Sequence, residues 1–240
     1  MIAKTHQRGW EIIYQKAHGL LAMEFGLHWE TAQRPPRFAE TLAAILEHDD
    51  GLNDTEVHAL TDVGAPLHFE LLEYTIEQCR SVTHLTRQKS RWTALMVSLH
   101  MSFLYEEKRG QDAELAAFLE EQKAWQRRYL RELGIKREVA QRAYEFLEWC
   151  DAFSLLLCQD KIQMEQRKME ISNGPDGTVH QVWQRDDGSL CVEPWPFAVD
   201  HFEVSVESRI IEQLKFDSTD ELRTALETTD PIENRWRLRK

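Results

Sequence analysis

The chain has 240 residues, of which 42% are hydrophobic and 10% aromatic, a composition typical of a globular protein with one sizeable core. Its net charge of −12 at pH 7 argues against binding to nucleic acid or to an anionic membrane surface, because both of these partners are negatively charged. No apolar run approaches the ~20 residues that span a bilayer. We therefore expect neither a nucleic-acid nor a membrane partner. The sequence does not reveal the oligomeric state.

Cysteine usage indicates a reducing compartment. The chain has four cysteines without a C-x-x-C pair, so the sequence suggests neither a zinc finger nor a dithiol redox motif. No disulfide framework is visible, and the first fifteen residues lack the apolar stretch of a secretory signal. We therefore expect a cytoplasmic protein. The cysteines are Cys79, Cys150, Cys158 and Cys191.

Helical periodicity dominates roughly the first 170 residues. The segment "QRPPR" separates the first two predicted helices, Gly51 is a typical C′ residue for the second, and Gly134 separates the last two. A loop over residues 51–66 follows the second helix, and unstructured connections longer than ~12–15 residues are often functional. The helices are predicted at residues 10–28, 38–50, 67–87, 90–106, 111–132 and 136–168.

After residue 172 the pattern changes to a period of two. The segments "TVHQVW" and "SLCVE" flank "QRDDG", which predicts a β-hairpin, and "FEVSVESRI" predicts a further strand. Ser218 and Glu221 form a capping box for a short helix, and "NRWRLRK" suits a last strand. The sequence thus predicts a mainly α protein. An all-α domain would span residues 1–171, and a small antiparallel β-rich subdomain over residues 172–240 would pack on it.

The second predicted helix ends with polar residues where its apolar stripe should continue. In "RFAETLAAILEHDDGL", Leu42 and Ile45 form the stripe, and Asp49 takes the next inward position with His48 beside it. An ionised carboxylate that faces a core is costly unless another group pairs with it. The sequence therefore predicts a partner for Asp49 inside the protein.

Three other predicted helices also carry a polar residue on the apolar face. These residues are His18 in the first helix, His100 in the helix at 90–106, and Asp151 in the helix at 136–168. A single inward histidine is more often a hydrogen-bonded core residue than a ligand, and a single inward aspartate can cap a helix or pair with an arginine. Two carboxylates with two or three imidazoles, converging from four helices, are what a divalent cation needs.

This arrangement resembles the HD-domain superfamily. His18, the adjacent His48 and Asp49, and Asp151 match its H…HD…D pattern. The resemblance implies an all-α, HD-like helical bundle, phosphohydrolase activity as in most members, and these four residues as metal ligands. Two nitrogen and two oxygen ligands suit Mn²⁺, Fe²⁺, Co²⁺, Ni²⁺ or Zn²⁺ better than Mg²⁺.

A second resemblance covers nearly the whole chain. The sequence is similar to a bacterial family called domain of unknown function 3891, and the similar blocks run from about residue 15 to residue 197. This resemblance implies no particular reaction. The blocks are "YQKAHGLLAMEFGLHW", "LEHDDGL", "GAPLHFE", "VSLHMSFLY", "DAFSLLLC" and "PWPF".

The function we expect is metal-dependent hydrolysis of a small phosphorylated metabolite or nucleotide. His100 would bind the substrate phosphate or a second metal, and His68, at the far end of the long loop, is a further candidate for that role. Asp50 could act as a general base, although a solvated residue near a helix end is the simpler interpretation. The loop 51–66 begins directly after the expected ligands, so it should cover the site.

Two other functions stay open at this stage. Some proteins with the HD fold hold two irons and activate O₂, and His68 with His100 could complete a second metal position. Alternatively, the metal or a small ligand could stabilise the fold or serve a signalling role without catalysis. An enzyme is favoured, because a closed structural site needs neither open metal positions nor a long adjacent loop.

Overall fold

The computed structural model describes residues 1–51 and 57–240. Within these residues the chain forms seven α-helices and seven β-strands. The helices are α1 (Gln15–His28), α2 (Phe38–Glu47), α3 (Ile76–Arg87), α4 (Arg91–Tyr105), α5 (Ala113–Leu133), α6 (Arg137–Cys158) and α7 (Thr219–Thr228). The strands are β1 (Ile2–His6), β2 (Gly9–Ile13), β3 (Met169–Asn173), β4 (Val179–Gln184), β5 (Leu190–Glu193), β6 (His201–Ile211) and β7 (Ile232–Arg239).

The strands form one curled sheet, in the order β1-β2-β6-β7-β5-β4-β3. Neighbouring strands are antiparallel except for β5 and β7, which run parallel. Helices make up 49% of the protein and strands 20%. The prediction of a mainly α, HD-like bundle with a small C-terminal β segment is therefore wrong, and the fold combines α and β structure. The predicted domain boundary after residue 171 falls within β3, and the division into two domains stays a prediction.

The N-terminal hairpin is the largest departure from the predicted elements. Trp10 was expected to begin a helix, but it lies in β2, which pairs with β1 on one side and β6 on the other. Backbone partners from the distant β6 override the local pattern, as is common for strands. Gly9 makes this pairing possible, since a Cβ there would lie 2.1 Å from the Ile211 carbonyl oxygen.

Two predicted helices are shorter than expected, for identifiable local reasons. The helix predicted at 67–87 begins only at Ile76, where Thr75 and Gln78 form a capping box. The helix predicted to residue 168 ends at Cys158, and Asp160 soon follows with a φ of 52°. A left-handed residue cannot continue an α-helix.

Other local predictions are confirmed. "TVHQVW" and "SLCVE" form the antiparallel pair β4 and β5, and Gly134 ends α5 with a φ of 64°. The capping box predicted for α7 forms in part. The Ser218 hydroxyl accepts a hydrogen bond from the Glu221 amide, whereas the Glu221 carboxylate accepts one from the Asp217 amide. Gly51, by contrast, does not take the left-handed conformation of a C′ glycine. It lets the backbone approach α3, where a Cβ would lie 2.8 Å from the Gln78 carbonyl oxygen.

Two glycines of α1 set how closely the first two helices approach. A Cβ on Gly19 would lie 2.6 Å from the Leu46 carbonyl oxygen, and one on Gly26 would lie 2.8 Å from the Leu42 side chain. Helix α6 packs against α1, α2 and α4, and also against β3. Helices α1, α2 and α4 therefore meet around α6, and the sheet packs on α6 through β3 and on α1 through β6. Among the described residues no helix combines the length and the apolar character needed to cross a bilayer.

Candidate metal centre

Four helices bring five ionisable side chains to one place. His18 lies in the first turn of α1, His100 in the second half of α4, and Asp151 in the C-terminal third of α6. His48 is the C-cap residue of α2, and Asp49 follows it in the turn. The three imidazoles are almost completely buried, while the side chains of Asp49 and Asp151 are 27% and 13% exposed.

The carboxylates lie between the histidine rings. Oδ1 of Asp151 is 3.3 Å from Nε2 of His18 and 3.2 Å from Nε2 of His48. Oδ2 of Asp49 is 3.5 Å from Nε2 of His18 and 3.6 Å from Nε2 of His48. The sequence prediction that these four residues share one location therefore agrees with the geometry. Their role as ligands stays a prediction.

Backbone contacts determine which ring nitrogens face the centre. Nδ1 of His18 lies 3.1 Å from the carbonyl oxygen of Gln15, and Nδ1 of His48 lies 2.6 Å from that of Ile45. A carbonyl oxygen only accepts hydrogen bonds, so each Nδ1 carries the proton and donates it. In the neutral rings, both Nε2 lone pairs are then directed at the carboxylates. Metal-binding histidines are commonly oriented in this way.

The centre has polar atoms that the protein itself does not satisfy. Nε2 of His18, Nε2 of His48 and Oδ1 of Asp151 are buried without a hydrogen-bond partner, although they lie within ion-contact distance of one another. Lone pairs that face each other in a buried site repel unless a proton or a metal ion lies between them. The donor set can therefore hold a metal ion.

The electrostatics without a cation point the same way. Burial lowers the pKa of His48, but the charges of Asp49 and Asp151 outweigh this and raise it to about 10. Burial also lowers the pKa of His18, and the charges of Asp151 and Asp49 offset this lowering only in part. Despite its own burial, Asp151 has a pKa well below the usual range, because His48 stabilises its charge. In the absence of metal, a proton on His48 thus supplies the positive charge that the carboxylates require.

His100 extends the centre on one side. Its ring is perpendicular to that of His48, with the centroids 4.9 Å apart, and its Nδ1 lies 3.4 Å from the Tyr144 hydroxyl. His48, His100 and Asp151 form one possible ion-binding group, and His18, His48 and Asp49 form another. The groups share Nε2 of His48, which can bind only one ion. The geometry therefore favours a single metal, with His100 next to it.

Two other predicted residues lie apart from these groups. Nδ1 of His68 accepts a hydrogen bond from the Ala3 amide at 3.1 Å, and its Nε2 lies 3.7 Å from Glu70, so it ties the loop to β1. Asp50 is half-buried and lines a second cavity, which Asp49 and Gln15 also line, and burial raises its pKa. Residues 52–56 of the expected covering loop lie outside the described residues.

Gln15 is a further residue at the centre, and the sequence analysis missed it. Its amide nitrogen donates to Oδ2 of Asp49 at 3.1 Å, whereas its own Oε1 is buried without a partner. The hydrogen bond holds the Asp49 carboxylate in place, and Oε1 of Gln15 is left as an acceptor beside the centre. The available signal was its position three residues before His18, on the same face of α1.

A cleft of about 290 Å³ opens from the centre. His48, Asp49, His100 and Asp151 lie at its inner end, and α3, α4 and residues 69–74 form its walls. An enclosed polar group at the end of a largely apolar cleft is the usual form of a small-molecule site. The arrangement can therefore place a small ligand directly against a bound cation.

Comparisons with known proteins identify a family. Residues 1–213 match the family described as "Protein of unknown function (DUF3891)". No curated protein and no solved structure matched the chain. The family match covers all the residues of the centre and of the cleft. The chain therefore belongs to the DUF3891 family.

Proposed function

We propose that the protein is a divalent-metal-dependent hydrolase of the HD type that acts on a small phosphorylated metabolite or nucleotide. The observation that carries this proposal is the group of unpartnered atoms at the centre. Nε2 of His18 and Nε2 of His48 each lie within 3.3 Å of the same oxygen, Oδ1 of Asp151. Two of these residues, His48 and Asp151, line a ligand-sized cleft that opens to the surface. A site that only stabilised the fold would not need such access.

The ligand set we propose is His18, His48, Asp49 and Asp151. These residues carry the H…HD…D pattern of the HD superfamily, and this pattern supports the HD assignment of the site, although the fold around it is not the expected helical bundle. A set of two nitrogens and two oxygens suits Mn²⁺, Fe²⁺, Co²⁺, Ni²⁺ or Zn²⁺. Gln15 would fix the orientation of Asp49 through its amide hydrogen bond.

A divalent ion held by these four residues would lower the pKa of bound water from ~15.7 toward ~7 and would polarise a phosphoryl oxygen. The protein's own groups then orient the reactants. Burial lowers the pKa of His100 to about 4, so its ring is neutral at pH 7 and can position a phosphoryl oxygen by hydrogen bonding rather than by charge. The free Oε1 of Gln15 can accept a hydrogen bond from water.

The di-iron alternative receives less support from the geometry. It requires a second complete ligand set, for which His68 was a candidate, but His68 is hydrogen-bonded to β1 and lies in neither ion-binding group of the described residues. His48 also cannot serve two ions through one free nitrogen. We therefore retain the single-metal hydrolase as the proposed function.

The test is metal loading followed by an activity screen. Metal-free protein would be titrated with Mn²⁺, Co²⁺ and Ni²⁺ and then assayed on generic phosphomonoesters and a panel of phosphorylated metabolites. We expect one ion per chain, phosphate release by the wild type, and none by the His18→Ala variant. Tight stoichiometric metal without turnover on any phosphoester would contradict the hydrolase and favour a non-catalytic metal-binding protein.

A further inference from the structure

The cleft beside the metal centre is lined mainly by apolar side chains. Cys79, Val82 and Met101 form its buried walls, and Leu72 and Leu104 lie nearer the opening. Its volume of about 290 Å³ is close to the lower end of the ~300–1,000 Å³ range typical of ligand pockets. The cleft therefore suits a small ligand with an apolar part, on the order of a single ring.

Two tyrosines form one side of this cleft. Tyr74 lies just before α3 and Tyr105 ends α4; their ring centroids are 4.8 Å apart and the ring planes are inclined by 44°. Nζ of Lys108 lies 5.3 Å from the ring centroid of Tyr74 and 5.8 Å from that of Tyr105. Burial raises the pKa of Tyr105 well above its usual range, so its phenol stays neutral. The pair presents an uncharged aromatic surface to a ligand.

The described lining of the cleft carries few positive charges. Its carboxylates are Asp49, Asp151 and Glu70, and its only lysine or arginine is Lys108. A divalent cation would offset the two aspartates, and Glu70 pairs with Lys161 at 3.4 Å. Lys108 is then the one cationic side chain left in the described lining, whereas proteins normally bind a diphosphate or triphosphate with several cationic groups.

We infer that, if the proposed hydrolase function holds, the cleft selects phosphomonoesters whose alcohol part is a compact, uncharged aromatic or apolar group. The phosphoryl group lies at the inner end beside His48 and His100, and the organic group lies against Tyr74 and Tyr105. Hydrolysis adds one water across the P–O bond, so that the organic group leaves as an alcohol and the phosphoryl group as inorganic phosphate. Tyr74 is the specificity-determining residue.

The test uses two phosphonates that the enzyme cannot hydrolyse. Calorimetric titration of the Mn²⁺-loaded protein would measure the dissociation constants of methylphosphonate and phenylphosphonate. We expect phenylphosphonate to bind at least about tenfold more tightly, because only its ring reaches the apolar walls. In Tyr74→Ala this preference should fall about three- to tenfold, while methylphosphonate binding is unchanged.

Trp183→Ala provides a matched control. Trp183 is also a half-buried aromatic residue with a lysine over its ring, Lys168 at 4.5 Å, but it lies on β4 outside the cleft. Its replacement should leave both dissociation constants unchanged. Equal affinities for the two phosphonates in the wild type, or an equal loss of both in Tyr74→Ala, would overturn the inference alone. If Mn²⁺ binds and neither phosphonate does, the proposed hydrolase function fails together with it.

Discussion

The two sides of helix α6 show how differently buried polar atoms can behave. On one side Asp151 faces the three imidazoles of the centre; on the other, Trp149 packs against Trp29 and His180 between the helices and the sheet. Both groups contain buried polar atoms without a hydrogen-bond partner, including the indole nitrogens of both tryptophans and Nδ1 of His180. Burial without a partner therefore does not by itself mark a functional site.

The difference lies in the chemistry of the atoms. An indole N–H only donates hydrogen bonds, so the two tryptophans cannot bind a cation, and His180 is the single acceptor among the unpartnered atoms of that group. At the centre the unpartnered atoms are lone-pair donors, and two carboxylates add negative charge. Only the second combination requires a positive charge, which a metal ion or a proton on His48 can supply. Substitutions on the two sides of α6 should thus have separate effects.

The largest effect is expected at Asp49. Asp49→Ala removes one of the two charges that offset the cation, and we expect metal binding to be lost while most helical structure is kept, because this side chain is 27% exposed. Metal content and far-ultraviolet circular dichroism would measure the two properties. Trp149→Phe, on the opposite side of α6, should retain full metal content. Full occupancy in Asp49→Ala would remove this residue from the ligand set.

Gly19 tests whether helix packing creates the centre. In Gly19→Ala the new Cβ would meet the Leu46 carbonyl oxygen at 2.6 Å, so α1 and α2 must separate. We expect a loss of about 1–3 kcal/mol in the free energy of unfolding, together with weaker metal binding as His18 and His48 move apart. Gly110→Ala is the control, because nothing lies within 4 Å of a Cβ there. Unchanged stability in Gly19→Ala, measured by chemical denaturation, would argue against this packing.

Gln15 tests the support of a ligand by a neighbouring side chain. Gln15→Leu keeps a similar volume but removes the hydrogen bond to Oδ2 of Asp49. We expect metal affinity to fall roughly tenfold, as is typical when a residue that orients a ligand is lost. Competitive titration with a chelating dye would measure the change. The same affinity in both proteins would leave Gln15 with no role in orienting Asp49.

Glu148, which faces the sheet, should produce the smallest effect, and one that depends on pH. Burial raises its pKa to about 7, although Ser172 donates a hydrogen bond to it, whereas in the unfolded chain the value is 4.5. The folded state therefore favours the protonated acid, and this contribution to stability is complete below pH 4.5 and is lost as the pH rises through 7. Relative to the wild type, Glu148→Gln should gain roughly 1–2 kcal/mol between pH 5 and pH 8. The measurement is the free energy of unfolding of both proteins as a function of pH. If the difference between them did not change with pH, the raised pKa of Glu148 would be contradicted.

The sequence was more informative about the centre than about the fold around it. Polar residues that interrupted apolar stripes led to His18, His48, Asp49, Asp151 and His100, because burial of a charge is costly enough to show in a single sequence. The N-terminal hairpin was missed because β2 pairs with β6, nearly two hundred residues away, and local periodicity carries no trace of that pairing. Gln15 was missed because a neutral amide on a helix face is unremarkable until its partner is known.

The same limit applies to helix boundaries and to His68. The capping box at Thr75 was readable in "TIEQ", but the apolar residues before it suggested a longer helix. His68 was placed near the centre because of its position after the loop, yet its ring nitrogen accepts a hydrogen bond from the Ala3 amide in the unpredicted strand β1. The unpredicted strand β1 thus supplies a hydrogen-bond partner of His68 that the sequence did not indicate.

Elemental analysis of the purified, dialysed protein, carried out beside His18→Ala, is the most direct test of the central claim. We predict one divalent transition-metal ion per chain in the wild type and a large loss of metal in a variant that stays folded. A folded wild type that neither contains nor takes up such an ion would contradict the account, since a proton on His48 would then supply the positive charge that the two carboxylates require.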